Sequence, residues 1–148
     1  MTLYLDTSSL VKLYVAEPES DAVRRLVENA DIVATAAIAY PEARAALARR
    51  RREGGLRPMA FRAAKRALDD DWPRYFAVDV TAALCREAGD LAERHRLRGY
   101  DGVHLAAYLQ VARAAGKANV RFSCFDDRLT AATRSAARKL RPTGRETG

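Results

Sequence analysis

Thr2-Leu3-Tyr4-Leu5-Asp6-Thr7-Ser8-Ser9-Leu10-Val11-Lys12 sets the architecture of the chain. Residues 2–6 predict a short apolar strand that ends on a carboxylate. Thr7, Ser8 and Ser9 are hydroxyl residues able to cap a helix over 10–15. A strand that turns directly into a helix is the first half of a parallel crossover. The pattern then repeats. Pro18 breaks the first helix, and Ser20 or Asp21 caps a second one with Val23, Leu26 and Val27 at helical spacing. Residues 32–35 predict a second strand, followed by an Ala-rich helix to about Arg52 that Gly54-Gly55 ends. Pro58 opens a helix to about Asp71, and 75–78 predict the third strand. Helices over 81–96 and from Asp101 precede a fourth strand at 120–125 and a last helix at 127–139. Strands alternating with helices imply an α/β fold, a parallel sheet of about four strands covered on both faces in three layers.

The length of 148 residues fits one domain, expected over 1–140, with a polar tail at 141–148 expected to be disordered. Hydrophobic residues make up 49% and charged residues 30%, a globular balance. The net charge of +7 is concentrated: between Arg44 and Arg66 nine basic residues face a single acid, Glu53. A dense positive segment points to a polyanionic partner, most simply nucleic acid. Cys85 and Cys124 show no metal-knuckle spacing and read as buried free thiols of a reducing compartment. The first residues enter a strand carrying Asp6 and do not resemble a secretory leader. No apolar run reaches the roughly 20 residues that cross a bilayer. A cytoplasmic location is expected.

Four acids carry the chemical signal. Asp6 ends the first strand, Asp101 begins a helix and Asp126 follows the fourth strand. Each could simply cap a helix, a role worth about 1 kcal/mol. Glu42 is different, because from Ala36 to Ala48 its helix is apolar apart from Glu42 and Arg44. An acid on such a stripe is paired or binds a cation. The strand ends of an open parallel sheet are where ligand sites form. Carboxylates gathered there repel one another, and Mg²⁺ or Mn²⁺ relieves that repulsion with oxygen ligands alone.

Four segments also carry a resemblance: 5–12 (Leu-Asp-Thr-Ser-Ser-Leu-Val-Lys), Pro41-Glu42, 100–106 (Tyr-Asp-Gly-Val-His-Leu-Ala) and 125–129 (Phe-Asp-Asp-Arg-Leu). Their order and spacing resemble PIN-domain ribonucleases, most closely the VapC toxins of bacterial toxin–antitoxin pairs, over roughly 2–137. The resemblance implies Asp6, Glu42, Asp101 and Asp126 as catalytic acids, with Asp6, Asp101 and Asp126 holding one or two Mg²⁺ or Mn²⁺ ions. It also implies Ser8 as the small hydroxyl of the pocket. Asp126 is favoured over Asp127 because the family places the acid directly after the apolar strand. Cys124 departs from the Ser or Thr frequent two positions before that acid. The implied activity is a metal-dependent endoribonuclease that cleaves structured RNA, such as transfer or ribosomal RNA, and inhibits translation. The implied partners are a cognate VapB-type antitoxin and a second copy of the chain, with no membrane.

Arg49 and Arg50 lie beyond Glu42 and form either an RNA track or a solvated helix end favoured by its dipole. His104 reads as a packing or hydrogen-bonding residue near the pocket. Tyr14, Tyr40 and Tyr100 read as packing residues, with base stacking as their other possible use. Two rival functions remain: a non-catalytic RNA-binding module whose acids only cap helices, and a phosphoryl-transfer enzyme using Asp6. The second lacks a further aspartate at position 8, where Ser8 stands.

Overall fold

A computed structural model describes residues 1–140; the expected disorder of 141–148 lies outside the described residues. Four strands, β1 (Thr2–Leu5), β2 (Ile32–Ala36), β3 (Phe76–Val78) and β4 (Val120–Ser123), form one sheet in the order β3-β2-β1-β4. All pairings are parallel, with Tyr4 beside both Ala34 and Phe122, and Leu5 beside Ser123. The α-helices of the described residues are α1 (Thr7–Val11), α2 (Ser20–Glu28), α3 (Ala39–Arg52), α4 (Pro58–Asp71), α5 (Ala82–His95), α6 (Gly99–Ala115) and α7 (Asp127–Arg138). The three-layer α/β/α architecture expected from the sequence is the one observed.

Alternation along β1 sorts the two cores. Leu3 and Leu5 face Leu10, Val23, Ala43, Leu47 and Leu68 of the first four helices. Tyr4 faces the other way, with Leu84, Leu91, Leu105 and Leu129 from α5, α6 and α7. Because period-2 alternation puts successive side chains on opposite faces, one strand supplies both layers. The chain moves from β1 outward to β2 and β3, then returns to the other side of β1 as β4. The direction of strand addition therefore reverses between β1 and β4. Ligand crevices in doubly wound sheets open at the carboxyl ends of such a strand pair.

Several helix starts differ in detail from the sequence reading. The cap of α1 is Asp6, whose carboxylate accepts from the Ser9 amide, so Thr7–Ser9 are already helical. A charged acceptor outcompetes the neutral hydroxyls for that amide. Ser20 is not a cap either: its hydroxyl accepts from the Glu17 amide and donates to the Val15 carbonyl, bracing the 15–20 turn. Asp101 does not cap α6. The helix begins two residues earlier, at Gly99, with Arg98 in the extended cap position and no side-chain cap. Extensive burial of α6 against the sheet and α5 makes that local bond dispensable, since tertiary packing supplies most helix stability. Cys85 is exposed and Cys124 half-buried, so only one of the two thiols approaches the burial expected.

Candidate active site

The first acid is fixed by the β1–α1 turn. Asp6 is only 5% exposed, and its Oδ1 accepts from the Ser8 hydroxyl at 2.7 Å and the Ser9 amide at 3.0 Å. Its backbone N–H donates to the Ser123 carbonyl at 3.2 Å, tying the end of β1 to the end of β4. Ser8 makes a second link, accepting from the Phe125 amide at 3.2 Å. The hydroxyl expected to serve the pocket thus fastens α1 to the segment after β4.

Asp126 stands at that segment's end. It caps α7, accepting from the Leu129 amide at 2.8 Å, while Cys124 Sγ accepts from the Asp126 amide at 3.2 Å. Asp127 is exposed and Asp126 half-buried, which agrees with Asp126 as the inward acid of the pair. Burial and the neighbouring Asp6 charge push the Cys124 thiol up to about 12, so it stays protonated. It fills the family's Ser/Thr position as a weak hydrogen-bonding group.

Asp101 comes from the first turn of α6, with its side chain 15% exposed and Arg98 Nε at 3.8 Å. Its carboxyl is held above the ordinary aspartate range, chiefly by burial and then by the Asp126 charge, with Asp6 adding to the rise and Arg98 and His104 opposing it. Asp101 therefore lies within electrostatic reach of Asp126 and Asp6, although 95 positions of chain separate Asp6 from Asp101. A surface groove passes Arg98, Asp101, Phe125, Asp126, Asp127 and Arg128.

Glu42 reaches the same end of the sheet from α3, through a buried relay. Tyr4, fully buried between the sheet and α6, keeps its phenol protonated because burial and the Asp6 and Glu42 charges all oppose ionisation. Its hydroxyl hydrogen-bonds His104 Nδ1 at 3.0 Å. On the other side of the ring the carboxylate can only accept, so His104 Nε2–H donates to Glu42 Oε1 at 2.9 Å, with Thr7 Oγ1 3.0 Å away. Thr7 in turn donates to Glu42 Oε1 at 2.7 Å. One oxygen of Glu42 is therefore saturated by two donors, and the carboxylate is held in a single orientation. His104 is 1% exposed and is this network's centre. Replacing it by Leu strands the Tyr4 hydroxyl in the core, at an expected cost of about 1–3 kcal/mol in denaturant unfolding.

The sequence signalled His104 as a hydrogen-bonding residue but gave Thr7 only a capping role and Tyr4 none at the site. A threonine and a tyrosine spaced one on each side of Asp6 and its strand end were the available clue. Arg49 and Arg50 do not join the acids. Arg49 donates to Glu53 at 3.0 Å on its own helix, and Arg50 pairs with Glu17. Glu17 also receives Lys12 at 3.1 Å.

Among the described residues no three histidine, cysteine, aspartate or glutamate side chains stand grouped tightly enough to hold an ion by themselves. Mg²⁺, however, keeps several waters and takes only one or two carboxylates directly. An all-oxygen set in which the Asp126 and Asp6 charges raise the Asp101 carboxyl suits such a hard cation. Asp6, Asp101 and Asp126 could hold it, with Glu42 adjoining.

Comparison with known proteins follows the same lines. The PIN-domain family model matches residues 3–115. Ribonucleases VapC45 and VapC49 of Mycobacterium tuberculosis are each 35% identical over 140 residues, spanning 95% of this chain and 94% of theirs. Ribonuclease VapC46 of the same organism is 33% identical over 145 residues, covering 93% of this chain and 92% of its own. The crystal structure of M. tuberculosis VapC20, a sarcin–ricin-loop-cleaving toxin, matches with a TM-score of 0.64 at 24% identity, over 88% of this chain and 94% of that one. The last is a likeness of fold.

Proposed function

The chain belongs to the PIN-domain family, among the VapC ribonucleases, and from that premise we propose that it is a Mg²⁺- or Mn²⁺-dependent endoribonuclease acting as a toxin. The observation that supports this reading is the groove shared by Asp101 and Asp126 beside the β1–β4 strand ends, where burial and the Asp126 and Asp6 charges raise the Asp101 carboxyl. The proposed substrate is structured RNA, of the transfer or ribosomal class, and cleavage there would inhibit translation. A cognate VapB-type antitoxin would silence the enzyme, and two copies would form the working dimer. Among the described residues no helix is long and apolar enough to cross a membrane.

The chain's own residues divide the work. Asp6, Asp101 and Asp126 supply the negative oxygens that a divalent cation needs. Glu42, with one oxygen held by His104 and Thr7, presents the other as a fixed acceptor for a water proton. The chemistry a bound divalent cation supplies is acidification of a water and neutralisation of charge on the transferring phosphoryl group. In the overall reaction water adds to phosphorus, the 3′-oxygen leaves and takes a proton, and the products carry a 3′-hydroxyl and a 5′-phosphate. Arg49 and Arg50 serve the RNA backbone in this proposal, exchanging Glu53 and Glu17 for phosphate oxygens.

The non-catalytic reading draws support from the capping bonds of Asp6 and Asp126. It leaves Asp101 and Glu42 unexplained, since Asp101 accepts no capping bond and Glu42 is held by a dedicated relay. Incubation of the full chain with RNA separates the two. Cleavage should stop in EDTA, return with Mg²⁺ or Mn²⁺, and leave 5′-phosphate ends when the products are mapped. RNA binding without cleavage under either metal would establish the module instead.

A further inference from the structure

We propose that Phe125 and Tyr100 are stacking platforms for the nucleobases on either side of the scissile phosphate of single-stranded RNA, each ring fixed by a cation, Lys12 and Arg98 respectively. This rests on the ribonuclease reading and specifies what that site holds.

Each ring adjoins one of the carboxylates along the chain. Tyr100 immediately precedes Asp101 in the first turn of α6, and Phe125 immediately precedes Asp126 after β4. Phe125 lines the groove that passes Asp101 and Asp126, and also the neighbouring groove along Thr7 and Ser8. It is 43% exposed and Tyr100 is 40% exposed, and neither belongs to either hydrophobic core. The other tyrosines near the sheet are consumed by packing: Tyr4 stacks on Phe122 at 5.4 Å, Tyr14 bonds Tyr75, and Tyr40 packs edge-on to Trp72 at 5.2 Å. Packing therefore accounts for Tyr14 and Tyr40 and fails to account for Tyr100.

Each exposed ring carries a positive group over one face. Lys12 Nζ lies 4.6 Å from the centroid of Phe125, and the Arg98 guanidinium carbon 5.3 Å from that of Tyr100. Lys12 is itself nearly buried and anchored by Glu17 at 3.1 Å, the Pro18 carbonyl at 3.1 Å and Glu19 at 3.2 Å. Its charge is spent inside the protein, so its use at this surface is to hold the ring. A cation over the ring contributes roughly 0.5–1 kcal/mol at exposed sites and limits ring motion before any ligand arrives. Immobilising an aromatic in advance removes ordering cost from the binding step. A π-face accepts any base, and base stacking contributes about 1–3 kcal/mol. Bases already stacked in a duplex are not available to such platforms, which restricts the substrate to single strands and splayed loops.

The test uses single-stranded oligoribonucleotides with 2-aminopurine placed at successive positions around a mapped cleavage site, bound by the full chain in an Asp101→Asn background that leaves them uncut. Quenching is expected at the two positions flanking the scissile phosphate. Phe125→Leu should abolish one signal and Tyr100→Leu the other, each weakening binding by roughly 5- to 150-fold. Phe125→Tyr and Tyr100→Phe should restore both, which separates stacking from loss of fold. Phe76→Leu should change neither, since Phe76 is exposed on β3 at the opposite edge of the sheet from β4. Unchanged quenching and affinity in both leucine variants, beside normal cleavage by the parent protein, would overturn the platforms and leave the ribonuclease standing. Quenching by a parent protein that never cuts would overturn the ribonuclease, and with it the assignment of those bases to a scissile phosphate.

Discussion

Asp101→Asn is expected to abolish RNA cleavage while making the metal-free protein more stable. Outer-shell partners of metal sites typically contribute 10–100-fold, so loss of a carboxylate that meets the ion directly, as proposed for Asp101, should exceed about 100-fold. The stability change has the opposite sign because Asp101 is held in an environment hostile to its charge. Burial is the largest cause, followed by Asp126, and the cation Arg98 that opposes them is exposed and 3.8 Å away. Exposed ion pairs at that distance contribute little.

A carboxyl whose folded pKa lies above its unfolded value binds a proton more readily when folded. Its favourable contribution is complete below the ordinary aspartate range and disappears as pH rises through the raised folded value. At neutral pH the ionised group opposes folding, whereas asparagine does not ionise. The gap in melting temperature between Asp101→Asn and the parent should therefore widen from acidic to neutral pH in EDTA. Adding Mg²⁺ should narrow it, because an ion that binds only the folded parent stabilises it by mass action. Thermal unfolding across pH, with and without Mg²⁺, reads all three effects. An asparagine variant that still cuts RNA would remove Asp101 from the catalytic set.

Gly102→Ala is expected to destabilise the protein by about 1–3 kcal/mol, the range for forced overpacking. A Cβ at Gly102 would stand 2.6 Å from the Ala88 carbonyl oxygen and 3.2 Å from the Ala92 Cβ. Both belong to α5, and the nearer obstacle is backbone, which yields only if the whole helix moves. Alanine has the better helix propensity by about 0.8–1.0 kcal/mol, and the clash has to exceed that gain. Gly89, on α5, provides the contrast: a Cβ there meets nothing within 4 Å. Gly89→Ala should then stabilise the helix by roughly 0.5–1 kcal/mol. Opposite signs from the same substitution in two packed helices would isolate the close approach as the cause. Because Gly102 lies between Asp101 and His104, any displacement of α6 that accommodates alanine also shifts the acid and the relay. Cleavage should fall with stability in Gly102→Ala and stay unchanged in Gly89→Ala. Chemical unfolding and initial cleavage rates measure both.

The site was legible in the sequence to the extent that its signals were local. Asp6 and Asp126 each end a short apolar strand and start a helix, and both appear as expected. Glu42 was conspicuous because it interrupts an apolar helix. Asp101 was expected to open its helix, but the helix start lies at Gly99 and Asp101 sits within the first turn. The Tyr4–His104–Glu42–Thr7 network joins residues up to 100 positions apart, and no spacing rule reveals which buried histidine meets which acid. The Arg50–Glu17 pair was hidden for the same reason. Nothing near Arg50 in the chain announces an acid from another turn.

Periodicity, glycine and proline placement, and the alternation in β1 were enough to determine a parallel sheet between two helical layers, with carboxylates at its strand ends. Those features act over a few residues, where backbone geometry and side-chain burial repeat predictably. The tertiary structure alone decided which acids feel one another, how Glu42 is oriented and which aromatic rings remain open. Such properties depend on distances between segments far apart in the chain, and only the packed sheet order brings those segments together.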